Sequence, residues 1–254
     1  GGRSVEEPVV EEFIRVYGMD KVPPALPTFK PMDGIPEEKG LTELRVALAA
    51  MGLTEVITYS FIAPRWMAFF PGEALELLNP ISEEMKIMRT SIVPGLVAVV
   101  ERNRKLQARD ISLFEIGKTF HTGPGGKLPD EVRRLGIALS GMRFDPHWSE
   151  KGRPVDFYDI KGIAESLLGP MELKPSNNGH LKPGCQADIV LDGSIIGTVG
   201  SVHPDILGLM DTDDEILVLE VLLEPVLVRR WGAEITESTE RRDRLGVGGR
   251  RRQE

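Results

Sequence analysis

Residues able to do chemistry are thinly spread along this chain of 254 residues. Gly123-Pro124-Gly125-Gly126-Lys127 has the look of a phosphate cradle, yet its spacing is wrong and Leu128 stands where a hydroxyl that holds Mg2+ belongs. A plain turn is the better reading. His121, His147, His180 and His203 are scattered and have no cysteine partners at zinc-ligand spacing, so a zinc site is disfavoured and surface or corner histidines are expected. Cys185 has no basic neighbour in sequence and reads as a small buried residue, not a nucleophile. Arg241, Arg242, Arg244, Arg250, Arg251 and Arg252 crowd the C-terminus among glycines; that composition favours a disordered or artefactual end over a basic arm on RNA.

Composition narrows the classes further. A net charge of −8 argues against a whole-surface field for nucleic acid, so any RNA contact must be local. With 41% apolar and 28% charged residues, the chain can bury one large core or two smaller ones. The longest apolar runs, Ile92 to Val100 and Ile216 to Leu223, are broken by Pro94 and Glu220 and fall short of the roughly 20 residues that cross a bilayer. The lone cysteine and the absence of a charged-then-apolar leader point to a cytoplasmic setting. The chain starts at Gly1-Gly2-Arg3, without methionine, which raises the expectation of a fragment that extends upstream.

The elements that must position any site follow from periodicity. Val9, Val10, Phe13, Ile14 and Tyr17 recur at helical spacing, with acids early, where the helix dipole favours them, and Gly18 at the stop. Pro23, Pro24, Pro27, Pro31 and Pro36 then stiffen a linker. A helix from Pro36 carries Leu41, Leu44, Leu48 and Met51 on one face and ends at Gly52. Glu55 to Phe61 predicts a strand, Pro94 to Lys105 a helix, and Arg109 to Ile116 and Leu135 to Leu139 an antiparallel pair. Asp156 caps a helix whose inner face is Phe157, Ile160, Ile163, Ala164 and Leu167, closed by Gly169-Pro170. Asp192-Gly193 between apolar runs is a strong hairpin signal. Pro204 to Met210 predicts a short helix, Glu215 to Leu222 a strand and Glu224 to Trp231 a final helix, giving an α+β class with a mainly antiparallel sheet.

Four blocks stand in order between Leu77 and Phe120: Leu77-Leu78-Asn79-Pro80-Ile81-Ser82, Met88-Arg89-Thr90-Ser91, Pro94-Gly95-Leu96 and Leu113-Phe114-Glu115-Ile116-Gly117-Lys118-Thr119-Phe120. To these add Glu11-Glu12, Arg15, Tyr17-Gly18-Met19-Asp20, Gly52 to Phe61, Pro154-Val155-Asp156-Phe157-Tyr158-Asp159-Ile160-Lys161-Gly162 and His203-Pro204-Asp205. Together they resemble the beta subunit of bacterial phenylalanyl-tRNA synthetase from about Val9 to Val226. The resemblance implies the end of a small B5-like domain (1–21), a Pro-rich linker (22–36), a class II synthetase-like core without catalysis (37–232) and a truncated anticodon-binding start or artefactual tail (233–254).

It also implies where chemistry should be. Arginines that steady the α-phosphate of an adenylate belong after Phe120 and in a glycine-rich helix start near Val218 to Glu224. Here His121 follows Phe120, and Val218-Leu219-Glu220-Val221-Leu222-Leu223-Glu224 holds no glycine or arginine, so no catalytic residue is expected. Glu11 and Glu12 match half of a family Mg2+ site, whose aspartate positions here fall at about Gly2 and Pro8, so a solvated acidic helix face outweighs metal binding. Leu44, Leu48 and Met51 are either core or the interface with the alpha subunit, and Arg89 pairs with an acid in the core or across that interface. The implied partners are the alpha subunit, which uses ATP, and tRNA(Phe) through a heterotetramer. A freestanding binding module on the same fold is the runner-up, and a small-molecule ligase a weaker third.

Overall fold

A computed structural model describes residues 6–23, 39–70, 72–123, 128–144, 148–149, 151–210, 212 and 214–231. The chain divides into two compact units, Gly1–Glu38 and Lys39–Glu254. In the first, helix α1 (Glu6–Tyr17) ends at Gly18, and Phe13 stacks on Tyr17 one turn away at 5.8 Å. The prolines from Pro24 to Pro36 and the tail from Gly232 lie outside the described residues.

The second unit is a seven-stranded sheet between two layers of helix. Its elements are α2 (Lys39–Ala50), β1 (Thr54–Glu55), β2 (Phe61–Ile62), β3 (Ile87–Met88), α3 (Val93–Lys105), β4 (Ile111–His121), β5 (Asp130–Ser140), α4 (Phe157–Leu168), β6 (Glu172–Pro175), β7 (Leu181–Leu191), β8 (Ser194–Val202), α5 (Pro204–Leu209), β9 (Ile216–Leu222) and α6 (Leu223–Trp231). The sheet runs β1-β4-β5-β9-β8-β7-β6, with β1 parallel to β4 and the other neighbours antiparallel, while β2 and β3 form a separate ribbon. This is the α+β architecture the patterning implied.

Alternation along the central strands sorts two cores onto the two faces. Leu135, Ile137 and Leu139 of β5 and Leu217, Leu219 and Val221 of β9 face one core with Leu44 and Leu48 of α2 and Ile160, Ala164 and Leu167 of α4. Ile216 and Val218 of β9, Ala138 of β5 and Ile111 and Leu113 of β4 face the other with Ile92, Leu96 and Val97 at α3. The β7–β8 hairpin turns on Asp192 (φ 50°) and Gly193 (φ 81°), the two positive φ angles a tight two-residue turn demands.

Several expectations are corrected. The strand expected over Glu55 to Phe61 breaks into β1 and β2. Between them, Val56 N–H donates to Phe114 O, Ser60 O accepts from Arg89 N–H, and the Thr58 side chain turns inward, leaving Ile57 91% and Tyr59 70% exposed. Strands β4 and β5 outrun their apolar cores because eleven paired positions extend them through polar residues to His121 and Asp130. Strand β6 adds to the elements the patterning predicts; it is a short, largely exposed edge without a clear apolar alternation. Cys185 is exposed, not buried. Register shifts between the Leu181–Val202 and Gln186–Gly200 pairs, so residues 182–185 bulge outward.

Candidate functional site

Arg89 lies at the end of the β2–β3 ribbon and is 3% exposed. Its Nη1 donates to Glu115 Oε1 (2.7 Å) and Thr58 Oγ1 (2.9 Å), and its Nε to Lys118 O (2.9 Å). Thr58 Oγ1 donates in turn to Glu115 Oε2 at 2.7 Å, so the buried carboxylate is held on both oxygens. A Cβ at position 117 would collide with the Arg89 guanidinium, which is why glycine stands where Arg89 crosses β4. Removing one member of such a pair strands the other charge and costs roughly 3–5 kcal/mol. The group is a rivet between the ribbon and the sheet.

Beside it, on the α3 face of the sheet, a cavity of about 440 Å³ is lined by Phe70, Ser91, His121, Arg134, His180 and Glu220 among others. Glu220 occupies the β9 position where alternation from Ile216 and Val218 calls for an apolar residue, and it is 7% exposed. Its Oε1 accepts from Ile92 N–H (2.6 Å) and Ser91 Oγ–H (3.1 Å), so it caps the start of α3, whose first amides have no partner within the helix. Arg134 of β5 donates through Nε to Thr119 Oγ1 (3.2 Å) and places Nη1 3.7 Å from Glu220 Oε2. Burial pushes the Glu220 carboxyl above the usual carboxylate range, and Arg134 and the two donors offset this only in part. Burial, then Arg134, lowers His121, whose Nε2 lies 3.1 Å from Thr119 Oγ1. Burial lowers His180 to about 4, and its ring stacks on Phe70 at 4.6 Å. Arg134 is the only guanidinium among the described residues lining this cavity, and an acid shares it.

The family model for the phenylalanyl-tRNA synthetase beta chain CLM domain matches residues 22–223. The chain belongs to the phenylalanyl-tRNA synthetase beta chain family. Phenylalanine--tRNA ligase beta subunits of Xanthomonas campestris pv. campestris (strain 8004) and of Syntrophus aciditrophicus (strain SB) are 36% and 34% identical, each over 89% of this chain and 30% of the relative. The chain thus spans about 30% of the length of these curated relatives. A pyrrolysyl tRNA synthetase of Desulfitobacterium hafniense shares the fold at TM-score 0.55 and 19% identity, over 77% of this chain and 69% of that one.

Against this beta-chain background, the residues singled out in sequence fall into different places. His121, which stands where the first arginine would follow Phe120, and Glu220, which lies in the Val218 to Glu224 stretch without the second, line one cavity although they come from β4 and β9. Arg89 pairs inside the core with Glu115. Leu44 and Leu48 are wholly buried in the α2–sheet core and Met51 packs against it, so α2 presents this face inward. Glu11 and Glu12 are exposed, Glu12 is tied to Arg15 at 2.9 Å, and no group of three or more metal-ligating side chains occurs among the described residues. His203 Nδ1 accepts from Asp205 N–H at the start of α5. His147 and most of the Gly123–Lys127 turn lie outside the described residues. Sequence reasoning missed Arg134 and Glu220 as a pair; the available signal was a lone acid in the apolar run Ile216 to Leu223.

Proposed function

We propose that this chain is the non-catalytic core of the beta subunit of phenylalanyl-tRNA synthetase, supporting the alpha subunit in ATP-dependent attachment of phenylalanine to tRNA(Phe) in the cytoplasm. The observation that carries the reading is a cavity lined by His121, which stands where the first arginine for an adenylate's phosphate would follow Phe120, and by Glu220 of the Val218 to Glu224 stretch, which holds no second arginine. A neutral imidazole and a buried carboxyl group cannot supply that charge, and the loss of a single preorganised donor already costs roughly a hundred- to a thousandfold in rate. The donors Ser91, Ile92 and Arg134 are taken up by Glu220 and so are not available to ATP phosphates, and Mg2+ and ATP belong to the alpha subunit on this reading. Among the described residues no helix is long and apolar enough to cross a membrane.

A partner is also called for by the segment between β1 and β2, where the polar Thr58 points in and Ile57 and Tyr59 point out. That inversion places apolar surface where solvent alone would not favour it. The test is phenylalanine-dependent ATP–pyrophosphate exchange with the purified chain, together with co-purification of the alpha subunit. Silence in exchange and capture of the alpha subunit are expected. Exchange by the chain alone would refute the assignment, and failure of capture would favour a freestanding module.

A further inference from the structure

Three donors converge on one side chain in the cavity: Ser91 Oγ–H, Ile92 N–H and, within 3.7 Å, the Arg134 guanidinium. A hydroxyl, a helix-start amide and a guanidinium form the kind of set that receives an anionic oxygen. Glu220 reaches it from β9 on the same face of the sheet and is separated from Ile92 by 128 positions in sequence. Apolar contact does not account for it there, since alternation on β9 puts it among Ile216 and Val218 and burying a carboxyl group is costly. What the residue gains is the donor set, and among the described residues that line the cavity of about 440 Å³ beside it, the one guanidinium, Arg134, is shared with an acid.

We infer that Glu220 determines what this cavity admits: its carboxyl group fills the acceptor position formed by Ser91, Ile92 and Arg134, and so keeps phosphate-bearing molecules out. This rests on the non-catalytic reading and deepens it. Absent arginines leave the pocket weak for phosphate, whereas Glu220 makes it closed. A phosphate entering the cavity would have to displace a group already hydrogen-bonded at 2.6 and 3.1 Å and then share Arg134 with it.

The experiment uses the full 254-residue chain with inorganic pyrophosphate as probe, read by titration calorimetry and by the unfolding temperature. Wild type is expected to show no saturable binding. Glu220→Ala vacates the donors and gains binding at least about tenfold tighter than any residual wild-type signal, as expected for hydrogen bonds to a charged group. The double variant Glu220→Ala/Arg134→Met loses the gain. Glu220→Gln keeps an amide oxygen for Ser91 and Ile92 and stays closed. A folded Glu220→Ala that takes up no pyrophosphate overturns the proposal, as does equal uptake by wild type or by Glu220→Gln. Should Glu220→Ala fold only with pyrophosphate present, the external anion has replaced the carboxyl and the proposal stands; failure to fold even then overturns it. These outcomes leave alpha-subunit capture untouched, whereas exchange activity of the wild-type chain would remove the underlying reading without any variant.

Discussion

His180 and Glu220 face one cavity and titrate in opposite senses. Burial lowers His180 from 6.5 to about 4, because the Phe70 stack and the surrounding core favour the neutral ring. Its contribution to stability is therefore complete above pH 6.5 and is lost as pH falls toward 4, up to roughly 3 kcal/mol. His180→Phe keeps an aromatic face against Phe70 and cannot protonate. The loss of urea-unfolding free energy between neutral and mildly acid pH should be visibly smaller in that variant; an equal loss would place the acid sensitivity elsewhere. Glu220 runs the other way: its raised value means a contribution present in acid and lost as pH rises through that value. Arg89, whose partner by sequence is an acid either in the core or across a subunit interface, finds Glu115 twenty-six positions away, and only strand β4 crossing under the ribbon decides which acid it is.

Among the elements, α4 is the one whose local chemistry is most fully written in its residues. Asp156 accepts from Tyr158 and Asp159 N–H, Asp159 returns a bond to Asp156 N–H, and Arg153 clamps the Asp159 carboxylate at 2.7 and 2.8 Å. The Arg153 hydrogen bond is the largest of the effects that lower Asp159. Much of the Pro154 to Gly162 block that resembles the family is thus a helix start. Asp156→Ala should cost about 1 kcal/mol in urea-unfolding free energy, within the range for lost N-caps. No measurable change would mean that Arg153 and Asp159 hold the helix start without it. The stretch between β1 and β2 shows the opposite case. Its period-2 pattern is visible in sequence, but the inward side is the polar one because Thr58 serves Arg89 and Glu115.

At the scale of the whole second unit, four of its exposed apolar residues lie on loops around the β2–β3 ribbon: Ile57 and Tyr59 before it, and Leu78 (97% exposed) and Ile81 (91%) between its strands. On the proposed function these are positions for contact with the alpha subunit, and the Leu44 and Leu48 face of α2 is not, since those side chains are already buried in the core. Tyr59→Ser and Leu78→Ser should each weaken alpha-subunit capture by about tenfold or more, as for truncated anchors at an interface. Their own stability should shift by no more than about 0.5 kcal/mol, as for other exposed positions. Unchanged affinity in surface-immobilised binding would move the interface elsewhere.

Patterns a few residues long were readable without coordinates: the helical stripes of α1, α3 and α4, the Asp192-Gly193 turn, the apolar strand β9 and the ordered blocks of the beta family. Such signals depend on neighbours in the chain, where spacing alone sets which side chains share a face. The partner of Arg89, the outward turn of Ile57 and Tyr59, and the meeting of His121, Arg134 and Glu220 in one cavity required the folded sheet. With the bond from Ser91 to Glu220, such contacts join segments up to 129 positions apart, and strand order and register, not local sequence, bring them within bonding distance.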